Sequence, residues 1–352
     1  MPVPPSRPSP AAWLLRPLAA VLAALLAFGA LLLGGAGAAQ AANNGTWAVF
    51  PTPPAGTATP GPSDRQYFYL ESAPGRTISD RVSVVNLTDK PMAFQFYGAD
   101  AYNTPRDGGF ALRTAGQPMT GVGRWLTLNT QQLTVPARTR ADIPFTLAIP
   151  ATAEPGDHPG AIVAVETGTE ATTQQGGMAV GIKRAVGARI YLHVSGTSVP
   201  ALSVDSVSVQ RTAPLLPGLG ASKGTLHFTL TNHGNATLHP RVEISESGWF
   251  GSVYHRAPTD TGIELLPGQS VQLTLALPSP PQFDDVSVTV KASDGATSAV
   301  GSGGYLAMPW LVVGVVVLLL AGAGWWFWRR AKRRRIHRGG RRWTREPVEA
   351  AA

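Results

Sequence analysis

The chain has 352 residues, no cysteine, and 29 Lys/Arg against 21 Asp/Glu, a formal charge of +8. The absence of cysteine excludes disulfide staples and thiolate metal sites, so stability has to come from burial, which a chain of this length can supply. Nor does the charge describe a nucleic-acid-binding surface: ten basic residues and only Glu346 and Glu349 follow Trp328, a local +8, whereas residues 17–328 hold 17 basic against 19 acidic.

Taken in chain order, Met1–Pro17 is a polar, basic segment and Leu18–Leu33 is apolar. Ala39-Gln40-Ala41 then offers small residues at a cleavage position, so residues 1–41 read as a secretory signal peptide. Residues 42–64 are a Pro/Gly-rich N-terminal segment, with Pro51–Ser63 too rich in both to hold regular structure. From residue 65 the apolar residues recur every second position. Val82/Val84, Met92/Phe94/Phe96, Ile143/Phe145/Leu147/Ile149 and Ile190/Leu192/Val194 alternate in the first half. Leu226/Phe228/Leu230, Val271/Leu273/Leu275/Leu277 and Val286/Val288/Val290 do so in the second. Such alternation predicts half-buried antiparallel strands, and no window of the body predicts an amphipathic helix. Pro144, inside one predicted strand, predicts an edge position for it.

The order of elements occurs twice. Ser83–Thr88 leads into a polar turn and the strand Met92–Tyr97, and His227–Asn232 leads into His233-Gly234-Asn235 and Arg241–Ser245. Each half then has a Pro-bounded strand followed by a valine-rich one. The reading is all-β: two immunoglobulin-like β-sandwiches, 65–198 and 199–292, joined near Gly196–Pro200. Asp100–Gly123 and Thr167–Gly177 read as insertions, the latter an exposed hairpin loop. Ser293–Gly304 reads as a Ser/Gly-rich stalk (293–305). Leu306–Trp328 follows, and 23 apolar residues at about 1.5 Å each cross a bilayer core of roughly 30 Å. The basic tail, 329–352, places itself in the cytoplasm by the positive-inside rule and the body outside. Trp325, Trp326 and Trp328 suit the inner interface.

Enzyme signatures are missing: GxSxG, HExxH, a P-loop, GxGxxG and CxxC do not occur. No cofactor is implied, and His233 and His239 flank a turn without a third metal ligand. Asp157-His158, on a loop stiffened by Pro155, Pro159 and glycines, is the most pointed polar cluster. It reads either as a ligand contact or as an Asx-type turn capping backbone N–H groups before the next strand. Tyr67, Tyr69, Tyr102 and Trp125 are the candidate aromatic contacts. Tyr67 and Tyr69 share one strand face and Phe68 and Leu70 the other, so only one pair can meet solvent.

Several passages resemble the first domain of the WxL-interacting proteins of Gram-positive cell surfaces. They are Arg65–Leu70, Pro74-Gly75, Val82–Asn86, Asp100-Ala101, Gly109-Phe110, Gly123-Arg124-Trp125, Pro150 to Pro155-Gly156-Asp157-His158, and Val186–Tyr191. The likeness covers roughly residues 46–195. It implies a membrane-anchored wall protein whose first domain binds peptidoglycan and whose partners are secreted WxL-domain proteins. An assembly factor that captures β-strands is the alternative, with the strand at Met178–Lys183 as its unguarded edge. A wall hydrolase using Asp157, His158, Glu154 and Glu166 is the third possibility.

Overall fold

Alternating side chains and the lack of helix-forming runs are realised in a computed structural model. It describes residues 42–53, 65–167, 171–175, 178–295 and 297–338, with backbone alone for the strands at 42–43 and 171–182 and for 333–338. The predicted signal peptide, the Pro/Gly stretch 54–64 and the tail beyond residue 338 lie outside the described residues.

The first half contains β1 (Ala42–Asn43), β2 (Trp47–Pro51), β3 (Phe68–Ser72), β4 (Thr77–Asn86), β5 (Met92–Asn103), β6 (Phe110–Leu112), the one-turn helix α1 (Val122–Trp125), β7 (Leu126–Leu128), β8 (Gln132–Val135), β9 (Arg140–Ala148), β10 (Gly156–Glu166), β11 (Ala171–Gln175), β12 (Met178–Ile182) and β13 (Ala185–Val194). The second contains β14 (Leu202–Thr212), β15 (Lys223–Asn232), β16 (Arg241–Gly248), β17 (Gly251–Asp260), β18 (Ser270–Leu277), β19 (Asp284–Asp294), β20 (Thr297–Ala307) and helix α2 (Trp310–Arg338).

Two compact units result, and their segments interleave. Ala101–Arg113 and Thr152–Pro159 fold with the second unit, which otherwise begins at His193. The single boundary expected near Gly196–Pro200 is therefore replaced by several crossings. In the first unit a sheet of order β1-β2-β4-β9-β7 faces one of order β3-β13-β10-β5, and β8 also pairs with β5. Phe68 meets Phe145 edge-on at 5.2 Å between ring centroids, and Trp47 meets Phe94 at 5.5 Å. Trp47 is fully buried. Its strand lies within 42–64, the Pro/Gly-rich N-terminal segment, and reaches Pro51, the first residue of the stretch expected to lack regular structure: β2 pairs along β4, Trp47 opposite Asn86. Every residue of β2 is buried, because Ala48 and Phe50 pack with Val85 and Leu87 on its other face. A strand covered on both faces shows no alternation, which hid it.

β9 is not an edge strand, since it lies between β4 and β7. Pro144 sits where β7 runs out: Asn129 N–H donates to the Pro144 carbonyl, so the missing proline donor falls at the end of that ladder. The segment read as a loop at Thr167–Gly177 contributes β11, which pairs with β12 as a separate two-stranded ribbon, Ala171 opposite Ile182.

In the second unit β14-β15-β18 faces β17-β16-β19-β20. The predicted stalk is in fact β20, paired along β19 from Asp294–Thr297 to Asp284–Ala307. Its glycines are a packing requirement. β14 runs along β20, and a Cβ on Gly303 would lie 2.4 Å from the Val207 carbonyl oxygen, one on Gly301 2.7 Å from that of Val204. Ser206, at φ 54°, marks the bulge that turns β14 toward them. Only Met308 and Pro309 separate β20 from α2, so the apolar helix starts at Trp310, with Val313 N–H bonded to the Pro309 carbonyl. Residues Trp310–Lys332 are long and apolar enough to cross a membrane. At its far end Arg329, Arg330 and Lys332 lie over the rings of Trp325, Trp326 and Trp328.

One buried carboxyl is poorly provided for. Glu246 on β16 is buried, and its Oε1 finds no partner among the described residues. Burial, opposed by the Tyr305 hydroxyl, pushes it above the usual carboxylate range. The same burial, with Glu246 nearby, pushes Tyr305 up.

Two tests follow from this core. Gly303→Val should destabilise the second unit by about 1–3 kcal/mol, read as faster hydrogen exchange in β14 and β20. A flexible stalk would leave exchange unchanged. Because the folded Glu246 binds its proton more tightly than the unfolded one, stability should fall as pH rises from the ordinary Glu value of about 4.5 through the raised folded value. Glu246→Gln should flatten that pH dependence of β16 exchange and slow exchange at pH 7.

Candidate binding surfaces

The first candidate surface grows from the alternation of β3. Phe68 is buried, so its neighbours Tyr67 and Tyr69 face out. Adjacent β13 brings Tyr191 beside them. Tyr69, 69% exposed, stacks on Tyr191 at 5.3 Å and 12°, while Tyr67 stands edge-on to both. Arg189 lies 5.7 Å from the Tyr67 ring centroid and donates to the Tyr191 hydroxyl at 3.1 Å. Two adjacent outward strands thus build an aromatic face with a fixed cation. Tyr191 and Arg189 escaped the sequence reading as contacts because only strand pairing brings β13 to β3.

Trp125 is half-buried at the end of α1. That turn is held by Asp100, whose carboxylate accepts the N–H groups of Thr120, Gly121 and Gly123 at 2.6, 3.0 and 2.7 Å. A Cβ on Gly123 would come within 2.8 Å of the Asp100 nitrogen. The Asp100 and Gly123-Arg124-Trp125 passages are therefore two halves of one clamp.

The other candidates belong to the second unit. Tyr102 is half-buried on β5 with the Arg113 guanidinium 5.9 Å from its ring centroid. Asp157 accepts from Thr237 N–H through Oδ2 at 2.7 Å and meets His193 Nδ1 through Oδ1 at 2.7 Å. Its own N–H donates to the Asn235 carbonyl at 2.7 Å. The capping reading was close in kind and wrong in place: Asp157 lies within β10 and ties down the distant loop at Thr237, not the start of its own strand. With both oxygens engaged, it is poorly placed as a general acid or base. His158 Nε2 contacts the Glu154 carbonyl at 2.8 Å. Glu166 is in the first unit and ion-paired with Arg184 at 3.0 Å.

A surface that the periodicity did not single out lies at the side of the second sandwich. Of the alternating apolar residues, only Leu273 and Leu275 are not fully buried. They flank a cleft of about 160 Å³ floored by Phe228, Val242 and Ile244 and rimmed by Arg256, Thr259, Asp260 and Thr261. The cleft opens between edge strands β17 and β18. Gln272 turns its N–H away from β15 to the Pro105 carbonyl at 2.8 Å, so Thr274 and Ala276, two and four residues on, point theirs outward as well. Neither of those amides meets a partner among the described residues. β17 is blunted by Pro258 and by a bulge opposite Val242–Ile244.

No family model matches the chain, and no curated protein matches it by sequence. Solved structures do. A chaperone–tip adhesin complex of CFA/I fimbriae biogenesis is 12% identical, covers 73% of this chain and 97% of that one, and has a TM-score of 0.34. The Salmonella enterica SafA pilin in complex with the SafB chaperone gives 10%, 68%, 92% and 0.29 in the same order. The E. coli chaperone DraB gives 10%, 68%, 94% and 0.28. The functional argument therefore rests on the geometry of this chain.

Asp157→Ala should act on stability, leaving the Thr237 N–H and His193 unpaired at a cost of about 1–3 kcal/mol. Faster exchange at Asn235–Leu238 with an unchanged tyrosine face would bear this out. Loss of any wall-degrading activity without loss of stability would overturn it.

Proposed function

We propose that this chain is a membrane-anchored binding protein that captures an extended segment of a β-rich partner at the side of its second sandwich. It is not an enzyme in this reading. The observation that supports it is the cleft beside β18, where an incomplete core and unused main-chain donors occur together. A strand laid along Thr274–Leu277 would supply the missing hydrogen bonds and place alternate apolar side chains against Leu273, Leu275 and Phe228. The other edge, at Met178–Lys183, is already paired with β11 on one side over Met178–Ile182 and belongs to a separate ribbon. α2 anchors the protein, the basic residues after Trp328 hold the tail in the cytoplasm, and both units stand outside.

A second reading has its own observation, the Tyr67–Tyr69–Tyr191 face with Arg189. An exposed tyrosine, Tyr69, stacked on half-buried Tyr191 beside a guanidinium suits a sugar ring, and the resemblance to the WxL-interacting proteins makes peptidoglycan the glycan to test.

The two are separable. An alternating Thr/Leu hexapeptide should protect the Thr274 and Ala276 amides from exchange, and Leu275→Arg should weaken that about tenfold or more by placing a charge in the cleft. No protection at millimolar peptide would remove strand capture. For glycan binding, Tyr69→Ala should reduce sedimentation with purified Gram-positive walls by about fivefold, a stacking contribution near 1 kcal/mol, and added salt should not abolish it. Wild-type protein that stays in the supernatant would end that reading. A reporter fused after Ala352 and active only in the cytoplasm should be active, and an inactive one would reverse the orientation.

A further inference from the structure

The end of the second sandwich nearest α2 carries a concentration of exposed apolar side chains. Trp249 and Phe250 occupy the turn between β16 and β17 and are 60% and 78% exposed. Phe283, just before β19, is about half exposed, its ring centroid 6.1 Å from that of Trp249. Leu215, Leu216 and Leu219 stand out from the loop between β14 and β15. Hydrogen bonds place all of them at one end. Trp249 N–H donates to Asp284 Oδ1 at 2.8 Å, and Asp284 pairs with Ala307, the last residue of β20. The Gln282 side chain accepts from Gly218 N–H at 2.8 Å and donates to the Gly220 carbonyl at 2.9 Å, fastening the leucine loop beside Phe283.

We infer that this end of the second sandwich docks on the lipid surface, with Trp249, Phe250, Phe283 and the leucine loop seated in the headgroup region. The inference rests on the reading that α2 spans the membrane. Its occupant follows from chain length. Met308 and Pro309 are the only residues between β20 and α2, and two extended residues reach about 7 Å. The headgroup layer on each side of a bilayer is itself about 5–8 Å deep. If Trp310 lies at the membrane interface, the Asp284–Ala307 end cannot stand clear of that layer, whatever the angle of the helix. Indole and phenyl rings favour that depth, and apolar side chains left in water there would forgo burial worth about 25 cal/mol per Å². Lys223 is exposed beside the same loop and can face lipid phosphate.

The chain lacks cysteine, so a single introduced one carries a unique spin label. Phe250→Cys, Leu219→Cys, Ser298→Cys and Val317→Cys would be made in the full chain and reconstituted in vesicles of phosphatidylcholine and phosphatidylglycerol. Ser298 is exposed, nine residues before Ala307 on β20, or about 30 Å from the docking end. Labels at 250 and 219 should collide with a water-soluble nickel chelate roughly fivefold less than the label at 298, and the label at 317 should read acyl-chain depth. Chelate access at 250 and 219 equal to that at 298, with 317 still in the acyl region, overturns the docking and leaves the span intact. An aqueous label at 317 overturns the span and the docking with it.

Discussion

β14 and β20 approach so closely that β20 can carry no side chain where Val204 and Val207 of β14 meet it. Gly301 and Gly303 admit the β14 backbone, and the bulge at Ser206 steers it there. This closes one side of the second sandwich almost backbone to backbone. Nothing equivalent joins β17 to β18 on the other side, so the core there ends in half-covered Leu273 and Leu275. Pairing with β19 then keeps β20 in the same sheet as far as Ala307, with two residues between it and α2. The flank that β20 closes is thus the one that leads directly into the helix, and the opposite flank is the one left open. Glycine is costly in a strand interior because it loses the most conformational freedom on folding, and the close approach is what offsets that cost here.

Without disulfides, each unit secures its strand ends through a buried asparagine. Asn86, at the end of β4, donates to the carbonyls of Lys90, Val135 and Pro136 and accepts from Thr88 N–H. Asn232, at the end of β15, donates to the carbonyls of Ala236 and Leu265 and accepts from Gly234 N–H. In both cases one donor group reaches the residue four positions on, and another reaches the stretch before a Pro-bounded strand. A buried amide that satisfies several main-chain groups is hard to replace, since each orphaned group costs about 1–3 kcal/mol. The repeated order of elements in the sequence therefore corresponds to a repeated hydrogen-bonding device. Asn103 works in the same manner for the hairpin that joins the second unit, bonding to Gly108, Glu264 and Leu266.

What could be read from the residues was what alternation encodes. The half-buried strands and the all-β class followed from period two, which also put Tyr67 and Tyr69 on one face of their strand and Phe68 and Leu70 on the other but did not say which face meets solvent. Three kinds of information were not local. β2 is covered on both faces and so has no period. β20 looks like a linker because its glycines answer to a strand nearly a hundred residues earlier. Asp157 is explained only by Thr237 and His193, which no spacing rule brings to it. The candidate surfaces were legible in the same measure: the shared strand face of Tyr67 and Tyr69 was, but their neighbours Tyr191 and Arg189 and the cleft beside β18 depend on pairing between strands.

The hairpin that holds Pro105 also limits what the open flank can accept. By taking the Gln272 N–H, Pro105 occupies the first part of the β18 edge, and Pro278 follows its last residue. Thr274 and Ala276 then offer about four outward main-chain groups, and at roughly 0.5–1.5 kcal/mol net for each bond these cannot by themselves offset the loss of freedom on association. Binding energy has to come from filling the cleft, where each apolar side chain fully buried contributes about 1.5–3 kcal/mol. A short edge over an apolar floor therefore selects for segments whose large apolar residues are two apart. It rejects a generic strand that matches only in backbone, which is also how an exposed edge avoids indiscriminate pairing.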